Sequence, residues 1–484
     1  MEDKQQREGV NVFGYLRAES GVGEHTRLLV AALKAAGIPY SVTDFGQSSS
    51  RQGYPYDDWG HPEPVFDLNL IGVNADELPR FVEHQGEAWL RERYSLALWA
   101  WEVEEFPDAM AASARFVDEI WANSSYSARA IAARVACPVF SFPLPIAVPP
   151  PSDLSRAELG LPDGFLFLFC FDFDSVFERK NPLATVTAFC RAFRPGEAHL
   201  LLKSVNGERH PRELARLRAA AGERRDVLVR DGYLTALEQA ALLRRCDAYV
   251  SLHRAEGFGL TLGEAMALGR PVVATGYSGN LDFMHEDNCF LVDYRLVPVP
   301  PGCGPYPPST HWAEPDLEAA AAALRRVVDD REGCRQRRAR ALTDIERFHS
   351  PAARARWIER RLADVRRLWR RRIVVAAPNV DLAAIQARLE ALRQGPDVRA
   401  RSRLGPLAVG LRRLMLRLLR NYHLFVLDAF EEQLWLAQRL ADDLAESRET
   451  ERRLARRLVQ LESRLGAEPF CGATPTDGRS AEAD

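Results

Sequence analysis

The chain has 484 residues, 46% hydrophobic and 27% charged, with a formal net charge of −3. That length exceeds the roughly 250–300 residues at which one core stops growing, so more than one domain is expected, and the apolar content excludes wholesale disorder. Residues 351–484 hold 26 arginines against 18 acids, a net of +8 that leaves −11 on residues 1–350, where a nucleic-acid binder would need its basic surface.

The start, MEDKQQREGV, does not read as a secretory signal, and apolar runs of about ten residues or fewer are too short to span a bilayer. Over residues 9–145 short apolar runs alternate with amphipathic ones. Val10–Leu16, Phe66–Val73, Ser95–Trp101 and Glu119–Ala122 read as strands. Val22–Ala36, Asp76–His84 and Ser125–Arg134 read as helices from the 3–4 spacing of their apolar residues. Six prolines in Pro138–Pro151 suit a stiff connector and place a domain boundary near residue 149.

The alternation then restarts with the apolar strand Phe165–Phe173. Strands His199–Val205, Val227–Arg230, Ala248–Leu252 and Pro271–Thr275 follow, with helices Pro182–Phe193, Arg212–Ala221, Leu237–Arg245 and Thr261–Leu268 between them. Pro298–Pro308 reads as a loop, and helix resumes from Asp316. Ala352–Arg372 reads as an arginine-rich helix, Leu404–Phe430 as an amphipathic basic one, and Leu454, Leu458, Leu461 and Leu465 repeat at coiled-coil spacing. The expected fold class is α/β, with two doubly wound domains at 1–148 and 149–350 facing a cleft. Beyond them are expected a crossover helix at 351–375, a helical and coiled-coil extension at 376–466 and a disordered tail at 467–484.

In such sheets ligands bind beyond the carboxyl ends of strands, so the loops there carry the chemistry. In His253-Arg254-Ala255-Glu256-Gly257-Phe258-Gly259-Leu260-Thr261-Leu262-Gly263-Glu264 a strand gives way to a helix whose N-terminus suits a phosphate. Glu256 and Glu264 are acceptors suited to hydroxyl-rich partners. The plainer reading is a glycine-capped helix with a solvated glutamate. Phe177-Glu178-Arg179-Lys180-Asn181-Pro182 puts two cations after the central strand, able to neutralise a diphosphate leaving group, and Lys203 closes the next strand. These two are half of the four lysines among 64 basic residues, and the plainer reading of each is a surface charge. Gly21 and Gly23, after the first strand, read either as a phosphate-facing loop or as a tight turn. Trp101 and Glu102 could line an acceptor site or simply pack. His253 could touch a ligand or be a satisfied structural histidine.

Glu256 and Glu264 within EGFGLTLGEAMALGRPVVAT resemble the E-x7-E signature of retaining group 1 (family 4) glycosyltransferases. The resemblance spans roughly residues 9–370 and implies the GT-B fold. It implies that Glu256 contacts the donor sugar near its reacting centre, that Glu264 takes the ribose hydroxyls and that Lys180 binds the diphosphate. Phe258, Gly259 and the neighbouring Gly257 and Leu260 would lend backbone, with Gly21 and Gly23 as the first-domain glycine loop. Two departures stand out. Asp174 occupies the position of the family's usual arginine, six before the lysine, so the second cation must be Lys203, Arg179 or Arg254, in that order. Ser278-Gly279-Asn280 stands where a glycine pair is usual.

The implied function is transfer of a hexose from a nucleoside diphosphate sugar to an acceptor hydroxyl with retention, in surface polysaccharide or glycoconjugate synthesis, without cofactor or metal. The implied acceptor is a glycan or a lipid-linked sugar. A GT-B epimerase or phosphorylase is the enzymatic alternative, and a non-catalytic scaffold with a coiled-coil tail is another. Eight scattered cysteines without CxxC or metal-ligand spacing read as reduced thiols of a cytoplasmic protein. The basic helix at 404–430 reads either as an interfacial membrane helix or as a homo-oligomerisation element.

Overall fold

The computed structural model describes residues 7–374, apart from 87–89, 91, 92 and 143, with side chains described through residue 369. Strands β1 (Arg7–Gly14), β2 (Tyr40–Asp44), β3 (Phe66–Gly72), β4 (Tyr94–Trp99), β5 (Glu119–Ala122) and β6 (Val139–Ser141) form a parallel sheet in the order β2-β1-β3-β4-β5-β6. Strands β7 (Leu166–Asp172), β8 (His199–Val205), β9 (Val227–Asp231), β10 (Ala248–Ser251), β11 (Val272–Thr275) and β12 (Phe290–Val292) form a second, in the order β12-β11-β10-β7-β8-β9. Their pairings are parallel throughout, which requires helical crossovers on both faces and explains the unbroken apolar runs, such as Leu166–Phe169 in β7.

The second order is that of a Rossmann sheet. The chain winds outward in one direction through β8 and β9, then returns to the middle and winds the other way through β10, β11 and β12. The switch point lies between β7 and β10, where a crevice opens beyond the strand ends. In the first sheet the switch lies between β1 and β3.

Helix Pro351–Val374 leaves the second sheet and packs against helix Gly21–Ala35 of the first half. Arg361 reaches the buried carboxylate of Glu119 at the start of β5, at 2.8 and 2.5 Å. Arg366 pairs with Asp67 at 2.8 Å. The two halves also meet at the cleft, where the hydroxyls of Tyr126 and Tyr277 are 2.8 Å apart and Ser125 N donates to Asp282 at 2.7 Å. All of this lies within one compact unit, Met1–Val380. The other unit, Asp381–Asp484, lies outside the described residues, and so do the basic helix at 404–430, the leucine repeat at 454–465 and the tail.

Several elements differ from the sequence reading. β2 and β6 are edge strands of five and three residues, too short for a periodic signal. The segment read as a loop around Pro298–Pro308 is mostly the connection of an antiparallel hairpin, β13 (Tyr294–Pro298) and β14 (His311–Pro315). The outer strand of that hairpin is largely exposed and carries no core-facing apolar stripe to mark it.

Candidate active site

The loops that follow β7 and β10 converge at the switch point, and the backbone stitches them together. Arg254 N donates to Arg179 O at 2.8 Å, and Asn181 Nδ2 donates to Leu252 O at 3.0 Å. This brings residues 76 positions apart into contact. Lys180 Nζ lies 2.5 Å from Glu256 Oε1, and Arg179 Nη1 lies 3.4 Å from Oε2 while also donating to Ala255 O at 2.9 Å.

Burial alone would raise the Glu256 carboxyl, but Lys180 and then Arg179 outweigh it and hold the group at about 2. Lys180 is also shifted downward, by burial first and then by the neighbouring Arg179, against the opposing pull of Glu256. Two cations therefore share the Glu256 carboxylate in a buried crevice. Such a site suits an anion with more charge than one carboxylate.

Glycines let this loop pass where side chains could not. A Cβ on Gly257 would meet Asn123 Nδ2 at 3.0 Å and Trp101 O at 3.3 Å, both in the first half. Gly259 has φ +91° and caps helix Leu260–Ala267 without a side-chain hydrogen bond, leaving its first-turn N–H groups uncapped by any side chain. Phe258 packs inward on Phe283, so its backbone rather than its ring faces this turn. Across the loop, Glu256 N donates to Ser278 Oγ at 2.8 Å, and a Cβ on Gly279 would sit 2.0 Å from Gly257 O. Ser278 keeps φ +75°, a conformation that favours glycine, and its hydroxyl contact with the site holds it there.

Glu264 lies one turn into the same helix, half-buried. Burial and then the carboxylate of Glu24, at the start of the first-half helix Gly21–Ala35, push it up to about 8. It is therefore largely protonated at neutral pH and can donate as well as accept. A carboxyl raised in the folded state costs stability as pH climbs from the ordinary carboxylate value through about 8. Glu264→Gln is expected to unfold at least about 2 °C above wild type at pH 8.5, the shift that about 1 kcal/mol produces, and to match it near pH 4. Equal melting temperatures at pH 8.5 would contradict the raised carboxyl.

The other predicted residues divide. Gly23 is fixed by its turn, since a Cβ there would meet Ala18 O at 2.5 Å, whereas Gly21 is exposed with nothing within 4 Å. Lys203, expected first as the second cation, does not join Glu256. Its ammonium donates to Ser204 O at 2.7 Å and to Gly232 O, because the ends of β8 and β9 fold their carbonyls over it. Arg254 is committed to Glu314 at 2.6 Å. Of the three candidates, Arg179 is the one beside Glu256. Asp174 is paired with Arg209 at 2.9 Å and hydrogen-bonded to His210 Nε2 at 2.7 Å, so its carboxylate is not left unpartnered.

His253 is fully buried, with Nδ1 3.1 Å from Ser251 Oγ and Nε2 3.1 Å from Asn280 Oδ1. Asn280 donates its amide to Thr275 O, so its Oδ1 accepts from Nε2–H, and the neutral ring braces the loop rather than meeting a ligand. Trp101 is also buried, against Phe106 and Tyr306, with Nε1 donating to Glu105 O at 3.0 Å; it offers no face for stacking on a sugar. Glu102 does join the site. Its Oε2 accepts from Tyr306 at 3.1 Å, and its charge acts on Arg179 and Lys180. Tyr306 itself escaped the sequence reading, because it sits in a proline- and glycine-rich segment without periodicity.

Residues 167–298 match the family model of glycosyl transferases group 1. Among solved structures, the chain is similar to the Anabaena protein HepE in complex with UDP and glucose, at 17% identity and TM-score 0.51, over 74% of this chain and 100% of that one. It is also similar to a Rickettsia africae glycosyltransferase, at 13% identity and TM-score 0.54, over 74% and 99%. A third is the sucrose-phosphate synthase of Thermosynechococcus elongatus, at 18% identity and TM-score 0.52, over 77% and 100%. No curated protein matches in sequence. At these identities the likeness establishes the fold, the two-domain GT-B arrangement.

Proposed function

We propose that this chain is a retaining glycosyltransferase that moves a hexose from a nucleoside diphosphate sugar to an acceptor hydroxyl, in the synthesis of surface polysaccharide or glycoconjugate. The observation that carries the reading is the Lys180–Glu256–Arg179 cluster at the switch point. The family match over residues 167–298 supports it, as does the UDP and glucose bound by the structurally similar HepE.

In this reading the diphosphate lies between Lys180, Arg179 and the uncapped start of helix Leu260–Ala267. As the bond from the anomeric carbon to the diphosphate breaks, negative charge grows on the leaving oxygen, and fixed cations there lower the barrier. The same two cations take the part a metal would play, so turnover is expected to survive EDTA. Glu256 faces the sugar. Glu264, protonated at neutral pH, donates one hydrogen bond to the ribose and accepts another.

No described helix is long and apolar enough to cross a membrane. We place the enzyme in the cytoplasm, with a glycan or lipid-linked sugar as acceptor. The deciding experiment is a panel of UDP- and GDP-hexoses scored for thermal stabilisation and nucleotide release. A donor present at 100 times its Kd is expected to stabilise by about 2.7 kcal/mol. Product analysis by proton NMR should show the donor's anomeric configuration kept. A panel with neither stabilisation nor release would refute the reading, and an interconverted sugar nucleotide without transfer would favour an epimerase.

A further inference from the structure

The connection Val299–Thr310 between β13 and β14 crosses from the second sheet onto the first half like a strap. Val299, Cys303 and Tyr306 are buried in one apolar cluster with Trp101, Val103 and Phe106. The ring of Tyr306 meets Trp101 edge-on at 5.4 Å, and its hydroxyl donates to Glu102 Oε2 at 3.1 Å. Ser309 Oγ donates to Glu105 at 2.6 Å.

Ala255, next to Glu256, belongs to the same apolar cluster, which sets this contact beside the cation cluster. Arg179 lies in the field of Tyr306, Glu102 and Glu256, and Tyr306 in turn lies in that of Arg179 and Glu256. The Nε of Arg179 is buried without a hydrogen-bond partner, so its guanidinium is set by Ala255 O, by Glu256 and by the charge on Glu102. Burial keeps the Tyr306 phenol protonated and hence a donor to Glu102. Glu256 is left 9% exposed, and the Lys180 side chain 16%.

We propose that the strap Val299–Thr310 walls the Lys180–Glu256 site against water, with the buried ring of Tyr306 as the anchor that seats it on Trp101. This rests on the transferase reading above. Its consequence is a partition. With the wall in place, the anomeric carbon released from the diphosphate bonds to an acceptor oxygen, whose proton passes to the departing nucleoside diphosphate. Without it, that carbon bonds to a water oxygen, the water's proton passes to the departing nucleoside diphosphate, and free sugar results.

The near absence of lysine supplies a direct probe. In full-length protein, acetic anhydride should label Lys34, whose side chain is 65% exposed, far faster than Lys180. In Tyr306→Ala the Lys180-to-Lys34 labelling ratio, read by mass spectrometry, is expected to rise about tenfold, the scale of a local opening, with Lys203 unchanged. Tyr306→Phe, which keeps the ring, should restore protection. With UDP-glucose and GDP-mannose as donor probes and glycerol as acceptor probe, Tyr306→Ala should shift products from glycoside towards free sugar by about tenfold, and Tyr306→Phe should return them. Tyr306→Leu replaces the alanine variant if that one fails to fold. Lys180 protection at the wild-type level in Tyr306→Ala or Tyr306→Leu overturns the wall. Raised labelling with an unchanged product partition overturns water exclusion as its purpose. Raised labelling while no form of the enzyme releases nucleotide upholds the wall and refutes the transferase reading instead.

Discussion

Turnover with the competent sugar nucleotide is expected to fall by about 10²–10³-fold in Lys180→Ala and again in Glu256→Gln, the loss typical of one electrostatic group at a developing charge. The geometry explains why both should be severe. Lys180 and Arg179 are held 2.5 and 3.4 Å from the Glu256 carboxylate, which fixes both cations in place. A diphosphate can then engage them without their first being drawn out of bulk water. Without Lys180, the Glu256 carboxylate loses its nearer cation, and Arg179 remains tied to Ala255 O. Without the negative charge of Glu256, two cations are buried together, and their repulsion displaces both. The second variant should therefore also lose stability, whereas a transferred sugar that simply bound less well would raise KM with kcat unchanged. Steady-state kinetics at saturating donor separate the two cases. Wild-type kcat in both variants would remove the cluster from the reaction.

The second large effect concerns the fold that holds the cleft. Arg361→Ala is expected to destabilise the protein by about 3–5 kcal/mol, the range for breaking a buried ion pair from one side. Glu119 is fully buried at the start of β5 and accepts from Arg361 twice, from Trp121 Nε1 at 2.7 Å and from Tyr94 at 3.1 Å. The Arg361 guanidinium also lies 3.6 Å over the Phe140 ring. Removing the arginine strands a carboxylate in the core and frees the helix that returns from the second half to the first. The double variant Glu119→Gln/Arg361→Met should recover much of the loss, because it leaves no unpaired charge. Denaturant unfolding of the single and double variants measures this coupling. A single variant within about 0.5 kcal/mol of wild type would place the pair among ordinary surface contacts.

Much of the site was legible because its signals are local. Glu256, Gly257, Gly259 and Glu264 lie in one strand-to-helix turn, where residue types alone announce a close backbone approach and hydroxyl-seeking carboxylates. Lys180 follows a strand whose apolar run marks it as central, and that places it at a strand end beside a crevice. The alternation of elements was equally plain, and the boundaries of β5 and β8 coincide with their sequence readings. Lys203 was misleading for a physical reason. It lies two residues before the end of β8 rather than closing it, and the direction of its ammonium depends on where the carbonyls of Ser204 and Gly232 turn, which no sequence pattern encodes. His253 and Trp101 illustrate the same limit, since burial against Asn280 or Tyr306 is decided by distant segments.

By itself, then, the sequence determined two parallel α/β sheets and the glycine-bounded strand-to-helix turn after β10, because periodicity and glycine placement act within a few residues of each other. The tertiary structure alone decided which second cation lies beside Glu256, that Asp174 pairs with Arg209 and hydrogen-bonds His210, and that a strap carrying Tyr306 meets Glu102. Those outcomes depend on strand order and on loops meeting at a switch point. Contacts between residues 35 to 204 positions apart are fixed by the packing of whole layers, which no short stretch of chain specifies.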